Sequence, residues 1–198
     1  MRFLITGSSG FIGFHLANKL LNDGHNVLGI DCHTKDDGFE NKNKRLKILR
    51  KFKKFRFIKL DLSNNFSKKK LKNLDFLIHL AAQPGVRISL DKPVDCIKNN
   101  VLSFVEVIEF VKNNKIKNFL YASSSTVYGE RNKGFKETEI TKRPKSLYAI
   151  SKIDNEMTAR FYNENFGINS IGIRFFSIYG NFGRKDMSYY KFLEDIFK

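Results

Sequence analysis

A chain of 198 residues has the length of one domain with a substantial core, and 41% hydrophobic with 28% charged residues is the balance of a soluble globular protein. No apolar run approaches a membrane span, Met1 to Thr6 reads as a core strand rather than a signal peptide, and Cys32 and Cys96 have neither metal-ligand nor disulfide spacing. The expected setting is the reducing cytoplasm, with no membrane partner and no metal. The net charge of +16 raises nucleic acid, most at Arg50 to Leu60 and Lys68 to Lys70. Basic runs in a chain rich in lysine throughout are equally solvated surface, so no nucleic-acid partner is expected, while a positive field favours an anionic substrate.

In chain order, Arg2 to Thr6 is a short apolar strand, Phe11 to Leu21 carries Phe11, Ile12, Leu16 and Leu20 at helical spacing, and Asn26 to Ile30 is a second strand ending on Asp31. Gly7, Gly10 and Gly13 lie between the first strand and the helix. Glycines there let the chain turn sharply, let backbone N–H groups approach a pyrophosphate and let helix pack close on strand. The helix N-terminus adds partial positive charge. Asp31 is placed to accept hydrogen bonds from an adenosine ribose and to repel a 2′-phosphate, which favours NAD over NADP. The spacing is G-x-x-G-x-x-G rather than the G-x-G-x-x-G of many dehydrogenases. Three glycines alone would fit a tight turn in any α/β protein; the strand, helix, second strand and terminal acid around them point to a nucleotide site.

A polar stretch, Cys32 to Lys44, precedes a helix near Arg45 to Lys51 and a strand from Arg56 to Leu60, with Phe55 and Phe57 expected in the core. Asp61 and Leu62 follow, the acid placed either to read an adenine edge or, equally on spacing, to make a turn. Asp75 to Leu80 is an apolar fourth strand, as parallel strands are, running into Ala81-Ala82-Gln83, small residues that leave room for a ligand at a strand's carboxyl end. His79, inside that strand, reads as a core histidine. Pro93 to Asn113 is a long helix with Val94, Ile97, Val101, Phe104, Val105 and Ile108 on its apolar side, and either Asn99 or Asn100 could face a cofactor. Lys117 to Ala122 is a fifth strand, Ser146 to Asn165 a helix set between Pro144 and Gly167, and Ile168 to Arg174 a sixth strand. Strands alternating with helices predict a doubly wound parallel α/β sheet of the Rossmann type.

Two elements could carry chemistry: Ser123 to Thr126 after the fifth strand, and Tyr148 with Lys152 on the next helix. Residues four apart share a helical face, so the ammonium lies beside the phenol. A free tyrosine titrates near pH ~10, and a neighbouring cation favours its phenolate, bringing it toward use as a base. Ser124 or Thr126 can hold a substrate hydroxyl while Tyr148 takes its proton. Y-x-x-x-K by itself is often only an exposed helix face; its weight comes from following a glycine fingerprint and a serine-rich strand end.

The pieces TGSSGFIG (Thr6 to Gly13), Asp31, Asp61-Leu62, HLAAQPGVRISL (His79 to Leu90), NNV (Asn99 to Val101), YASSSTVYG (Tyr121 to Gly129), SLYAISK (Ser146 to Lys152) and RFFSIYGNFGRKDM (Arg174 to Met187) resemble, in order, the extended short-chain dehydrogenase/reductase family. The resemblance is to its NAD-dependent nucleotide-sugar epimerases and dehydratases, most of all the UDP-glucuronate 4-epimerases. It implies Ser124, Tyr148 and Lys152 as the catalytic set, with Thr126 assisting. It also implies Gly7, Gly10, Phe11, Ile12, Gly13, Asp31, Asp61, Leu62, Ala81, Ala82, Asn99, Tyr148, Lys152 and Phe175 around NAD. Arg87, Ser124, Tyr148, Ser177 and Arg184 would face a UDP-sugar. Residues 1–198 would then be an NAD-binding Rossmann domain, with a substrate-binding region starting at about 175–198 and most of the smaller C-terminal domain missing. A homodimer would form through the Pro93 and Ser146 helices, which carry apolar residues on more than one face (Ile108, Val111, Ile150, Met157). Ser125-Thr126 stand where related dehydratases carry an acid, which favours epimerisation. Ser177 stands where these epimerases often have Thr, and Lys185 where they have Pro. The alternatives are another sugar-nucleotide epimerase or dehydratase, or an inactive NAD-binding fragment.

Overall fold

The computed structural model describes residues 1–33, 39–130, 134–141, 143–183 and 187–196. Six strands, β1 (Arg2–Thr6), β2 (Asn26–Asp31), β3 (Phe55–Lys59), β4 (Phe76–His79), β5 (Asn118–Ser124) and β6 (Ser170–Phe175), form one sheet in the order β3-β2-β1-β4-β5-β6. All five pairings are parallel. The strand order changes direction between β1 and β4, and at such a switch the carboxyl ends of the strands open a crevice. Helices α1 (Phe11–Asn22) and α2 (Phe39–Leu49) belong to one face, α5 (Ser103–Asn113) and α6 (Leu147–Phe166) to the other.

The two-residue period of a strand sorts the core. In β1, Leu4 joins Phe104, Ile108 and Phe119 on one side, and Phe3 and Ile5 join Phe14, Leu21 and Leu49 on the other. Local signals set the ends of α6: Ser146 Oγ accepts the Ala149 amide at 3.1 Å, and Gly167, at φ +66°, takes the left-handed turn past its last residue.

Four expectations need correction. Helix α2 begins at Phe39, six residues before the predicted start, because an i,i+4 pair, Glu40 with Lys44 at 2.7 Å, supports its polar first turns. The long Pro93–Asn113 helix is α4 (Pro93–Ile97), a π-helical turn (Lys98–Leu102) and then α5. The wider turn rotates the inward face, so Cys96, Asn100 and Ser103 point in while Val94 (77% exposed) and Ile97 (39%) point out. Ile108 and Val111, expected at a subunit interface, are core residues at 0% and 1% exposure. Phe57, expected in the core, is only half-buried at its margin because β3 is an edge of the sheet. Two helices were not anticipated: α3 (Val86–Asp91) and α7 (Ser188–Ile196).

Candidate active site

The crevice is bounded on one side by the glycine loop. Gly7 has φ +69°, and a Cβ on it would lie 2.7 Å from the Ala81 nitrogen, so β1 and β4 can end side by side only with glycine here. A Cβ on Gly13 would lie 2.2 Å from the Gly7 carbonyl, so the helix closes on the turn for the same reason. Gly10 is the N-cap of α1 without a side-chain cap, and its carbonyl accepts the Phe14 amide. The amides of Phe11, Ile12 and Gly13 therefore have no acceptor within the helix and lie at its positive end.

Ser9 anchors this loop to the end of β2. Its amide donates to Asp31 Oδ2 at 3.2 Å, and Asp31 Oδ1 accepts the His33 amide at 2.8 Å. The carboxylate, 7% exposed, is thus fixed at the position where a ribose would be read. Asp61 makes the turn of the second sequence reading. Its Oδ1 accepts the Ser63 amide and hydroxyl at 3.0 and 2.7 Å, a turn, while Oδ2 lies 3.4 Å from Lys98 Nζ. Burial pushes this carboxyl up, but the Ser63 bonds and Lys98 outweigh it and hold it below its ordinary range. The Leu62 side chain belongs to the core beneath, packed with Phe66.

At the end of β4, Ala81 and Ala82 are half-buried. Thr6 Oγ1 accepts the Leu80 and Ala81 amides at 3.2 and 3.3 Å, so its proton points to His79 Nδ1, 2.8 Å away. That bond requires neutral imidazole, and burial, with the Lys152 charge adding to it, pushes His79 down to about 3. His79 is the core histidine the strand pattern implied.

Strand β5 runs two residues past its expected end and delivers Ser123 and Ser124 as strand residues. Ser124 Oγ accepts the Thr126 amide at 3.2 Å and the Thr126 hydroxyl at 3.0 Å. With its lone pairs occupied, the Ser124 hydroxyl has its proton to offer, which makes it a donor to a substrate oxygen. From α6, Lys152 is 2% exposed, donates to the Ala122 carbonyl at 2.8 Å and lies 5.9 Å from the centre of the Tyr148 ring. Burial brings its ammonium down to about 8, still charged at neutral pH. Tyr148 is half-buried, on the same side of α6 as Lys152. Lys152 is thus next to Tyr148 on α6 and reaches β5 two residues before Ser124.

Other named residues are dispersed. Phe175 pairs in register with Ser124 across β5 and β6, Asn99 is half-buried in the π turn, Arg87 is exposed on α3, and Ser177 is exposed beyond β6. Arg184 and Lys185 lie outside the described residues.

Four polar residues have roles around this site that the sequence reading did not give them. Glu156 and Arg174 form a bidentate pair at 2.7 and 2.8 Å, each side chain 12% exposed, and Glu156 also accepts the Ser123 hydroxyl at 2.5 Å. The pair ties α6, β5 and β6 together one residue from Ser124. Its sequence signal was a charged residue four past Lys152 and another inside an apolar strand. Asn100, 1% exposed, uses its amide as a strand would: Oδ1 accepts the Gln83 amide at 2.6 Å, and Nδ2 donates to the Gln83 carbonyl at 3.2 Å and to Ser151 Oγ at 3.1 Å. It clips the loop after β4 to the turn of α6 that carries Lys152. Of the two asparagines weighed for the cofactor, this one serves the scaffold. Arg45, the fourth, reaches from α2 to the glycine loop.

A parallel sheet in this order, with a glycine loop after β1 and a buried lysine that reaches from α6 to β5, has the architecture of a Rossmann-type short-chain dehydrogenase/reductase. The NAD dependent epimerase/dehydratase family model matches residues 3–197, and the chain belongs to that family. It is 36% identical over 200 residues to a probable UDP-glucuronate 4-epimerase of Rhizobium meliloti, covering 99% of this chain and 59% of that one. It superposes on UDP-glucuronic acid 4-epimerase of Bacillus cereus, solved with UDP-glucuronic acid and NAD, with TM-score 0.91 at 34% identity, covering 100% of this chain and 63% of that one. A UDP-N-acetylglucosamine 4-epimerase of Methanobrevibacter ruminantium gives TM-score 0.86 at 31% identity, over 99% of this chain and 62% of that one. The chain spans about three fifths of the length of these relatives.

Proposed function

We propose that residues 1–198 form the cofactor-binding and proton-transfer part of an NAD-dependent 4-epimerase acting on UDP-glucuronate, with a substrate-binding region beginning near residue 175. The observation that carries this reading is the buried Lys152 ammonium beside the Tyr148 ring, bonded to the β5 carbonyl two residues before Ser124, whose hydroxyl is free to donate. The close backbone packing that Gly7 and Gly13 permit, the uncapped start of α1 and the fixed Asp31 carboxylate fit a dinucleotide. Bound there, NAD would supply a reversible two-electron acceptor for the sugar alcohol. Tyr148 would take the proton of the carbon-four hydroxyl, Lys152 would stabilise the phenolate, and Ser124, braced by Thr126, would hold the same oxygen. Ser125 and Thr126 offer no carboxyl group for eliminating water, so the same residues would return the proton and the net reaction would be inversion. Arg87, Ser177 and Arg184 are the proposed contacts to the sugar nucleotide, aided by the chain's positive field.

Incubating the chain with NAD and UDP-glucuronate should produce UDP-galacturonate without accumulating reduced cofactor. Release of a keto sugar or of stoichiometric reduced nicotinamide would contradict epimerisation, and faster conversion of UDP-N-acetylglucosamine would reassign the sugar. Because the chain spans about three fifths of its relatives, turnover should fall orders of magnitude below theirs; the remote nucleotide contacts that hold a sugar in reacting geometry are expected in the remainder.

Asp31 makes a separate prediction. NAD should bind at least tenfold more tightly than NADP, about 1.4 kcal/mol, and Asp31→Asn should narrow the gap. Equal affinities in a calorimetric titration would refute the role given to this carboxylate.

The proposed partner is a second copy of the chain, through the outward faces of α4, the π turn and α6. Val94, Ile97 and Leu102 are 77%, 39% and 45% exposed there, and Ile150, Met157 and Phe161 are 45%, 64% and 52% exposed along α6. A dimer in sedimentation equilibrium that Met157→Glu converts to monomer is expected; a monomer at micromolar concentration would refute it.

A further inference from the structure

Arg45 is the one arginine of α2, in a helix otherwise rich in exposed lysine and asparagine, yet it is only 5% exposed. Its guanidinium is spent on two carbonyls far apart in sequence. Nη1 donates to Ser9 O at 2.9 Å, in the glycine loop, and Nη2 donates to Phe182 O, in the turn that follows β6. Nε is buried without a hydrogen-bond partner. Burial lowers the guanidinium pKa more than the neighbouring Asp31 charge restores it, so holding the cation here costs stability.

The turn it holds is independently docked on α1. His15 Nε2 lies 2.8 Å from the Asn181 carbonyl, Phe182 sits edge-on to Phe14 at 5.6 Å, and the Gly183 amide closes the turn on the Gly180 carbonyl at 3.0 Å. Ser177 precedes this turn and Arg184 follows it. Ser9 is therefore shared: its amide holds Asp31, the ribose-reading acid, and its carbonyl holds Arg45.

We propose that Arg45 is a positioning residue that couples occupancy of the glycine loop to the order of the 180–183 turn, so that cofactor binding sets the segment flanking the sugar-nucleotide contacts. This rests on the glycine loop being the NAD site. A ligand that fixes Ser9 fixes one end of the guanidinium fork, and the other end then holds Phe182 with less freedom to open. By linkage, the energy with which NAD steadies the turn equals the energy with which the turn favours NAD.

The test is hydrogen exchange at the Gly183 amide, with and without saturating NAD, in the 198-residue chain. NAD should slow exchange about tenfold in the wild type. In Arg45→Met the amide should exchange faster in the free protein and stop responding to NAD, whose affinity should fall by a similar factor. Urea unfolding of the same variant measures the general cost of leaving the Ser9 and Phe182 carbonyls without the fork, and so controls for the fold. Arg45→Lys keeps the charge but replaces the rigid fork of two nitrogens by a single nitrogen on a flexible stem, and should behave like Arg45→Met; it also serves if the Met variant does not fold. Full NAD response in either variant, or none in a wild type that binds NAD, overturns the proposal. A wild type that binds no NAD defeats the cofactor assignment instead. The inference is then judged on the free protein, where unchanged Gly183 exchange in the variants would overturn it.

Discussion

Replacing Tyr148 with Phe should slow the reduction of bound NAD by UDP-glucuronate on the order of a thousandfold, the usual worth of a positioned general base. The measurement is a single turnover: the chain is saturated with NAD, mixed with UDP-glucuronate, and followed by the absorbance of reduced nicotinamide. Saturation removes any change in NAD affinity from the rate. Phenylalanine keeps the ring and its packing on α6, so the loss isolates the hydroxyl. In the wild type the rate should rise with pH as the phenol loses its proton. Lys152→Met removes the adjacent cation and should move that rise to higher pH. A Tyr148→Phe rate within tenfold of the wild type would show that another group takes the proton.

Lys152 should also leave a signature in stability, measurable without cofactor or substrate. Its pKa falls from 10.5 to about 8 on folding because the ammonium is buried. Below about pH 8 the lysine is protonated in folded and unfolded chains alike, and the cost of burying its charge is fully present. Between about 8 and 10.5 the folded chain sheds the proton while the unfolded chain keeps it, so stability rises with pH. Comparing urea unfolding at pH 7 and pH 10.5, the wild type should gain about 3 kcal/mol relative to Lys152→Met, each tenfold change in proton affinity being worth about 1.36 kcal/mol. The difference between the two chains cancels the groups that do not sense Lys152, leaving Cys96, whose charge couples to it, and taking that difference at two pH values removes the pH-independent effects of the substitution. A pH-independent difference would mean that the ammonium is solvated. The charge that destabilises the fold is the one the proposed chemistry requires beside Tyr148, a cost of the kind that active sites carry.

What the sequence determined by itself was local. Gly7, Gly10 and Gly13 mark the loop because left-handed backbone and close approach are properties of single residues. Ser146 and Gly167 bound α6 because caps act within one turn, and Tyr148 with Lys152 share a side because four residues are about one turn of helix. The parallel sheet followed from alternating apolar strands and helices, and His79 was legible as core because an apolar strand surrounds it.

The tertiary structure alone decided what depends on distant neighbours. The inward face of the Pro93–Asn113 helix was misread because a π turn, invisible to a 3.6-residue period, rotates it so that Asn100 reaches Gln83 and Ser151. Arg45 reads as one more exposed cation of α2 until Phe182, 137 residues later, covers it. Glu156 and Arg174 become a half-buried pair only when β6 lies beside β5. The charge states of His79 and Lys152 are likewise set by desolvation, which sums over every atom packed around a group and has no counterpart in the spacing of residues along the chain.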